Sequence, residues 1–279
     1  MAGSASFPRT VLVTGANRGI GLGIVRQMLQ SGATSPAAVA AGSPDFLFAT
    51  HRAPLGSDTM ADLESLAKEH PKLHLLKLDV KDECGIKRIA DSVEKVVGEL
   101  GLNLLINNSG LNDPADRHAN ISELDSAAML EHLSVNTIGP VLLTQAFMPL
   151  LQRAADQNAS EALGSQRAAV VYVTSLLGSV ALSSEGRFEA VHNTKRRMYA
   201  YRCSKSALNM MARVMSYELQ PLGILSLLIH PGWVKTGMGG ANADFEVADS
   251  VRGILTQVRK LDEEHNGAFV SHTGEVLPW

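Results

Sequence analysis

Short apolar runs alternate along the chain with longer stretches in which apolar residues recur at helical spacing. Six short runs, bounded by Gly, Pro or polar residues, predict buried strands: Val11–Thr14, Phe46–Thr50, Leu73–Leu78, Leu104–Asn107, Ala169–Thr174 and Leu225–His230. Helical spacing appears between them in Ile20–Gln30, Ile86–Leu100, Met129–Leu151 and Ser204–Leu219. Repeated βα units of this kind predict an α/β fold, a doubly wound parallel sheet with helices on both faces.

The pattern continues to the end of the chain without a linker or an internal repeat, which predicts one domain over residues 1–279. Three segments are longer than connections of such a fold need, and we expect surface insertions at Ala33–Pro44, Gln152–Gln166 and Leu176–Met198. The tail after Pro231 is short in this interpretation. Its end, Phe269–Trp279, predicts a last strand and a cap on the same sheet.

Composition excludes several classes of partner. The formal net charge is -3, and apart from Lys195-Arg196-Arg197 the basic residues are scattered, which disfavours nucleic acid and anionic membranes. No signal-like apolar core begins the chain and no later stretch is an uninterrupted apolar span, so we expect a cytoplasmic protein. Cys84 and Cys203 lack neighbours at metal-ligand spacing; no metal site and two free thiols are expected.

The first predicted strand leads directly into a glycine-rich turn and then a helix, in the sequence Thr14-Gly15-Ala16-Asn17-Arg18-Gly19-Ile20-Gly21. Gly15 permits a sharp turn, Gly19 lets the backbone approach a pyrophosphate, and Gly21 permits close contact of helix and strand. The N–H groups at the start of the helix favour an anion. The glycines fall as G-x-x-x-G-x-G rather than G-x-G-x-x-G, and a turn without a ligand is the alternative.

The end of the second predicted strand indicates which nicotinamide cofactor is bound. Sites that prefer NAD place an acid there against the ribose hydroxyls. This chain has Ala49-Thr50-His51-Arg52, without a carboxylate. We therefore predict that Arg52 and Arg18 bind a 2′-phosphate and that the cofactor is NADP(H). The alternative is that Arg52 is only a solvated loop charge.

Candidate catalytic residues follow the later strands. Tyr201 and Lys205 are four positions apart at the start of a predicted helix and so share one face. A nearby ammonium lowers the pKa of a phenol, which makes the tyrosine a useful acid and base. Ser175 ends the fifth strand, where its hydroxyl is predicted to hold a substrate oxygen. A Tyr-x-x-x-Lys pair also arises by accident, so the other residues of the site matter.

Two further polar residues fit the same edge of the sheet. Asn136 lies inside a mostly apolar predicted helix, where an amide needs a partner; satisfaction by the local backbone is the alternative interpretation. The sixth strand ends in a rigid Pro231-Gly232 turn, and Thr236 just beyond it is predicted to meet a nicotinamide carboxamide. These residues follow successive strands in one order, which favours a common site.

The chain resembles the short-chain dehydrogenase/reductase family from about Val11 to Gly237. The resemblance rests on Thr14–Gly21, Asn107-Asn108-Ser109-Gly110, Asn136, Ser175, Tyr201, Lys205 and Pro231–Thr236. Within the family, Ser175–Ser179, Tyr199–Asn209 and Gly274–Trp279 are most similar to sniffer-type and C-factor-like carbonyl reductases. The resemblance implies a Rossmann-type fold, NADPH and a small-molecule carbonyl or alcohol substrate.

The resemblance also implies residue roles. Tyr201 is the general acid/base, Lys205 binds ribose and lowers the tyrosine pKa, and Ser175 positions the carbonyl. Asn136 holds a water that links Lys205 to solvent, and Asp79 lies beside the adenine. The implied cofactor-binding set is Thr14, Gly15, Asn17, Arg18, Gly19, Ile20, Gly21, Arg52, Asp79, Val80, Asn108, Ser109, Gly110, Tyr201, Lys205, Pro231, Gly232, Val234 and Thr236.

Two departures from the family limit what is carried over. Ser109 stands where the family has Ala, a small change that should leave the cofactor wall intact. Ser175 and Tyr201 are 26 positions apart, because the Leu176–Met198 insertion separates them. That segment is expected to form a mobile lid over the substrate entrance, so the substrate is the least transferable feature.

Other functions remain open at this point. The second hypothesis is an NADP-binding regulatory or sensor protein that kept the fold and lost turnover. A scaffold is a third, for which we find no exposed apolar repeat or charge block. A homodimer through the helices around Met129–Leu151 and Ser204–Leu219 is open. Cys203 is interpreted as a small buried hydrophobe rather than as a redox switch.

Overall fold

The computed structural model describes residues 7–30, 42–116, 120–184 and 197–279. Within them, seven strands form one sheet: β1 (Thr10–Val13), β2 (Phe46–His51), β3 (Leu73–Lys77), β4 (Leu104–Asn107), β5 (Ala169–Val173), β6 (Leu225–His230) and β7 (Ala268–Ser271). All pairs are parallel, and the order across the sheet is β3-β2-β1-β4-β5-β6-β7. The chain order reverses between β1 and β4, which is the switch point where such sheets bind ligands.

The helices of the described residues are α1 (Gly19–Gln30), α2 (Ala61–Glu69), α3 (Glu83–Val97), α4 (Ser126–Leu133), α5 (Gly139–Gln157), α6 (Val180–Ser184), α7 (Tyr199–Leu219) and α8 (Val247–Lys260). A π-helical turn, Ser134–Ile138, joins α4 to α5 without a break. Short 3₁₀ turns lie at Asp58–Met60, Gly98–Leu100, Ile121–Glu123, Leu176–Gly178, Gln220–Leu222 and Glu263–His265.

The sheet has an apolar core on each face. Successive residues of a strand point to opposite faces, so Val11 and Val13 of β1 pack in one core while Leu12 packs in the other. Helices α1, α2 and α8 cover the first face, and α3, α5 and α7 cover the second. Burial on both faces explains why the strands are almost entirely apolar. This arrangement confirms the predicted doubly wound parallel sheet.

The continuous helical segment Ser126–Gln157 is long and apolar enough to cross a membrane by length and composition alone. The sequence pattern predicts no uninterrupted apolar span here, because polar residues interrupt the segment. Half of its most apolar 18-residue window is buried inside the protein, and Leu143, Phe147 and Leu151 pack in the core with β4 and β5. Core helices of folded proteins pass the same composition test, and this segment packs as one.

Several boundaries differ from those predicted. Each predicted strand agrees with the structure to within one residue at either end, but α2 and α8 were missed. Because α8 follows Pro231, the tail is not short. Residues 152–157 of one predicted insertion continue α5. Residues 33–41 and 185–196 of the other two, including Lys195 and Arg196, lie outside the described residues.

Candidate active site

A cleft of about 780 Å³ lies along the carboxyl ends of the strands. It is lined by most of the predicted cofactor-binding residues, namely Gly15, Asn17, Arg18, Gly19, Ile20, Arg52, Asp79, Val80, Asn108, Ser109, Gly110, Tyr201, Lys205, Pro231 and Thr236. A smaller pocket of about 120 Å³ adjoins it and is bordered by Ser175, Gly232 and Val234. Tyr201, Ile20 and Thr236 line both cavities, so the tyrosine lies on their boundary.

The glycine-rich turn needs its glycines for different physical reasons. Gly15 and Gly19 have φ values of +63° and +54°, in the left-handed region that side chains disfavour. Gly21 has ordinary backbone angles, but a Cβ there would lie 2.3 Å from the carbonyl oxygen of Gly15. A side chain at position 21 would therefore push the turn away from the helix. The turn leads directly into α1, and the first N–H groups of a helix have no partner within it.

Thr14 holds the turn in place from beneath. Its Oγ1 accepts hydrogen bonds from the backbone N–H groups of Asn108 and Ser109, each at 2.9 Å. The Asn108 side-chain amide donates in return to the carbonyl oxygen of Thr14, at 2.8 Å. Thr14 is fully buried and does not line the cleft, unlike the prediction that grouped it with the cofactor contacts. It supports the turn and links β1 to the end of β4.

Arginines border the far end of the cleft. Arg18 and Arg52, which are predicted to bind a 2′-phosphate, both line the cleft and are exposed. Arg26, which the sequence analysis did not single out, also lines the cleft, but its guanidinium forms an ion pair with Asp62 at 2.8 Å. Asp79 lies at the same end, and its carboxylate accepts a hydrogen bond from the N–H of Lys81 at 3.0 Å.

Tyr201 and Lys205 lie one turn apart on α7, as their spacing predicts. The Lys205 Nζ is 5.9 Å from the centre of the tyrosine ring and donates a hydrogen bond to the carbonyl oxygen of Val173 at 2.9 Å. Only 4% of Lys205 is exposed. Loss of solvation on burial lowers the pKa of its ammonium to about 8, because a low-dielectric site disfavours the charged form.

Ser175 follows β5 at the edge of the smaller pocket, where the sequence analysis placed it. Its Oγ accepts a hydrogen bond from the backbone N–H of Leu177 at 3.2 Å. That contact caps the 3₁₀ turn Leu176–Gly178 and leaves the hydroxyl proton to be donated elsewhere. Leu177, Met198 and Trp233 supply apolar surface to the same pocket.

Asn136 occupies the π-helical turn and is fully buried. Its amide is satisfied by a distant backbone segment, since Oδ1 accepts from the N–H of Leu111 at 2.7 Å and Nδ2 donates to the Leu111 carbonyl at 2.8 Å. Nδ2 also donates to Ser204 Oγ on α7 at 2.9 Å. The alternative of a local backbone partner is therefore wrong. A π turn at a functional residue is a known pattern.

Helix α7 differs from the sequence-based predictions in two respects: it has a contact with Asp116 that was not predicted, and Cys203 on it is not buried. The buried Asp116 accepts hydrogen bonds from the backbone N–H groups of Ala200 and Tyr201, a contact across more than 80 residues that no local pattern signals. Cys203 is exposed, so its interpretation as a buried hydrophobe is wrong. Position 203 is two residues from Tyr201, and on a helix such neighbours point in different directions.

Comparisons with known proteins agree with this architecture. The family model for short chain dehydrogenase matches residues 9–246. The carbonyl reductase Sniffer of D. melanogaster is 38% identical, covers 98% of this chain and 100% of its own, and superimposes with a TM-score of 0.85. An NADPH-bound carbonyl reductase from chicken fatty liver is 39% identical with the same coverage and TM-score. The C-signal protein of Myxococcus xanthus is 36% identical over 64% of this chain and 93% of its own.

The fold and the site thus define an oxidoreductase built on a dinucleotide-binding sheet. The chain belongs to the short chain dehydrogenase family. The sequence resemblance is confirmed at this level, including its similarity to sniffer-type carbonyl reductases.

Proposed function

We propose that the protein is an NADP(H)-dependent oxidoreductase that interconverts a carbonyl and an alcohol, of the carbonyl reductase type. One observation carries the proposal: Tyr201 stands at the boundary between a dinucleotide-sized cleft and a small, mainly apolar pocket, with the buried Lys205 one turn away. A proton donor at that boundary faces the substrate from one side and the cofactor from the other.

The cleft fits NADP(H) on the evidence of its own residues. Gly15 and Gly19 adopt the left-handed backbone conformation that shapes the turn before α1, where folds of this kind bind a pyrophosphate. Arg18 and Arg52, exposed on the rim, suit a 2′-phosphate through charge-assisted hydrogen bonds. Asp79 and Val80 border the same end, where the adenine is expected. The NADPH-bound chicken relative supports the same choice of cofactor.

The chain's own residues perform the acid and positioning steps. NADPH held in the cleft would supply the hydride that the carbonyl carbon accepts. Ser175 donates a hydrogen bond to the carbonyl oxygen and holds it toward Tyr201. The Tyr201 hydroxyl then gives its proton to that oxygen as negative charge develops there, which is general acid catalysis. In the reverse direction, the phenolate accepts the proton of the alcohol.

Lys205 makes this proton transfer favourable. A positive charge 5.9 Å from the centre of the tyrosine ring stabilises the phenolate that remains after proton transfer. Burial strengthens the effect because few water molecules screen the charge. The hydrogen bond to Val173 holds Nζ at the end of β5, where it also reaches the cleft that would contain the ribose. Asn136 supports this end of the cleft through Leu111 and Ser204.

The smaller pocket favours a compact carbonyl compound. Its volume is about 120 Å³ and its walls include Leu177, Met198, Trp233 and Met238. Apolar walls of this kind bind uncharged groups by removing them from water. Small aldehydes, diketones and quinones are therefore the substrates to test first.

The experiment follows the disappearance of NADPH absorbance with purified protein and a panel of these compounds. Reduction with NADPH and much slower reduction with NADH would support the proposal. A sensor that has lost turnover would bind NADPH tightly, as seen by fluorescence or calorimetry, and reduce none of the panel.

We further propose that the protein forms a homodimer through α7. Met210, Val214 and Tyr217 are exposed at helical spacing on this helix, an apolar stripe that the sequence analysis missed. Such stripes mark contact surfaces in folded proteins. Light scattering after size exclusion tests this, and replacing Met210 and Val214 by Lys should yield a monomer.

A further inference from the structure

The start of the catalytic helix is held by a side chain from a distant part of the chain. Helix α7 begins at Tyr199, and the preceding Met198, with φ 48° and ψ 52°, supplies no side-chain cap. The first N–H groups of a helix have no partner within it. Asp116 supplies the partners: Oδ1 accepts from the N–H of Ala200 and Oδ2 from the N–H of Tyr201, both at 3.0 Å.

Asp116 belongs to the segment of residues 111–116, which is also fixed at two earlier points. At its start, both backbone groups of Leu111 bond to the Asn136 amide in the π turn. In its middle, the N–H of Asp113 donates to Nε2 of the buried His132 at 3.2 Å. The segment therefore spans from the π turn to the first turn of α7. Its third anchor, the carboxylate of Asp116, bonds to the backbone of the tyrosine itself.

We propose that Asp116 is a positioning residue that sets the height of the Tyr201 hydroxyl relative to the substrate carbonyl. The inference rests on the proposed function, because it assigns Asp116 a role through the tyrosine acid. A buried carboxylate with one oxygen on each of two adjacent N–H groups fixes both the position and the tilt of the first turn. Its negative charge also suits the positive end of the helix dipole.

A second observation concerns how the other catalytic residues are held. Lys205 and Ser175 are positioned by β5, whereas Tyr201 lies in the first turn of α7, which Asp116 binds. Lys205 is anchored independently by Val173, and Ser175 belongs to the end of β5. The tyrosine ring packs with Leu177 and Met198 in a small cluster separate from the two main cores. Asp116 adds a hydrogen-bonded attachment to the helical turn that carries the phenol, beside the packing of that small cluster. The expected consequence of losing that attachment is a misplaced acid in an otherwise intact cofactor site.

The test uses the full-length protein, NADPH and 2,3-butanedione as the probe substrate. In Asp116→Ala we expect kcat to fall about tenfold to a hundredfold, the range associated with displacement of a catalytic group by about 1 Å. The affinity for NADPH should stay within about twofold, because the glycine turn and Lys205 are untouched. The primary isotope effect on kcat with NADPH deuterated at the transferred position should rise, since the chemical step becomes slower. Asp116→Asn keeps one acceptor oxygen and should lose less.

The matched control is Asp262→Ala. Asp262 also accepts from two consecutive backbone N–H groups, those of Glu264 and His265, at the start of a short 3₁₀ turn that does not line either cavity. This control should leave kcat and the isotope effect at wild-type values. The comparison of the two variants distinguishes the general effect of removing a capping carboxylate from the specific effect of removing the one that caps the catalytic helix.

A double-mutant cycle completes the test. If Asp116 acts through the phenol, Asp116→Ala should reduce kcat by less than about twofold when Tyr201 is already Phe. An unchanged kcat in Asp116→Ala would overturn the proposal. A fall in kcat matched by an equal fall in the number of NADPH sites per protein would overturn it too, because it would mean only that fewer molecules fold. Equal losses in both backgrounds would also contradict it.

Where Asp116→Ala fails to fold, Asp116→Asn decides by the same readouts.

Two results with Tyr201→Phe distinguish a failure of this proposal from a failure of the proposed function. Normal turnover of Tyr201→Phe would remove the tyrosine acid and with it the proposed mechanism. An inactive Tyr201→Phe beside a normal Asp116→Ala would overturn the role of Asp116 alone.

Discussion

The two ends of the cleft are constructed in opposite ways. At the catalytic end, polar groups are buried and already bonded within the protein: Lys205 to Val173, and Asn136 to Leu111 and Ser204. At the phosphate end, Arg18 and Arg52 are exposed. Neither guanidinium forms a hydrogen bond or ion pair with another residue in the described part of the chain.

This contrast predicts that the two ends of the cleft control different quantities: the catalytic end controls the catalytic rate, and the phosphate end controls the choice of cofactor. Groups fixed before the substrate arrives need no reorganisation during the reaction, which is the main source of electrostatic catalysis. Exposed arginines contribute chiefly when an anion binds and orders them. Changes at the catalytic end should therefore act on kcat, and changes at the phosphate end should act on cofactor affinity.

The largest expected effect is that of Tyr201→Phe, which removes one oxygen from the catalytic end. Turnover should fall by about two to four decades, the usual contribution of a positioned acid. NADPH affinity should remain near wild type, because ring packing and Lys205 persist. Steady-state kinetics together with a binding titration measures both quantities. Near-normal turnover on a good substrate would show that the tyrosine is not the acid.

The next effect concerns the phosphate end. Arg52→Asp should weaken NADPH binding and shift preference toward NADH, by about 1.5–3 kcal/mol for each hydrogen bond lost to a charged group. Titration of both cofactors measures the change, and kcat at saturating cofactor should stay close to wild type. Arg252→Ala, at an exposed residue paired with Asp249 outside the cleft, is the control. Equal affinity of the wild type for NADH and NADPH would contradict the assignment.

A smaller effect is expected from the buried ammonium of Lys205 on stability. Its pKa is about 8 in the folded protein and near 10.5 when solvated, so between these values the unfolded chain binds more protons. Stability of the cofactor-free protein should therefore rise from about pH 8 to about pH 10.5, by about 1–3 kcal/mol relative to Lys205→Met. Below pH 8, both states hold the proton and the contribution of this group stops changing.

Urea unfolding of the two proteins at several pH values measures this difference. Parallel stability curves for wild type and Lys205→Met across that window would contradict the depressed pKa. The same variant should also weaken NADPH binding, because the lysine lines the cleft.

The smallest effect is expected at Ser109, where the family has Ala. Its Oγ would lie 2.9 Å from a Cβ placed on Gly15, but its backbone N–H, which bonds to Thr14, is independent of the side chain. Ser109→Ala should change NADPH affinity and kcat by less than about 0.5 kcal/mol, the usual range for a substitution that removes no buried partner. A tenfold loss of affinity would assign the hydroxyl a direct role in the cleft.

Local patterns were sufficient to predict much of this molecule. Strands buried on both faces are short apolar runs, and the glycine turn, Tyr201 and Lys205 are close in sequence or follow strand ends. Helix α2 gives a weak signal because Leu63 is its one buried residue. Helix α8 was missed although Val251, Ile254, Leu255 and Val258 recur at helical spacing. The anchoring of Asn136 by Leu111, and of Tyr201 by Asp116, depends on contacts between distant segments. No spacing rule in a single sequence reports such contacts.

The strand order has a consequence for how the chain acquires this structure. The central pair joins β1 to β4, so Val11 must pair with Leu104. The backbone N–H of Thr10 also donates a hydrogen bond to the side-chain oxygen of Asn103. Closing a loop of that length costs entropy before any pairing energy is gained, which slows folding of parallel sheets. During synthesis, the glycine turn would emerge long before the strand that supports it. Until β4 arrives, that edge of β1 has no partner strand, and unpaired strand edges favour aggregation.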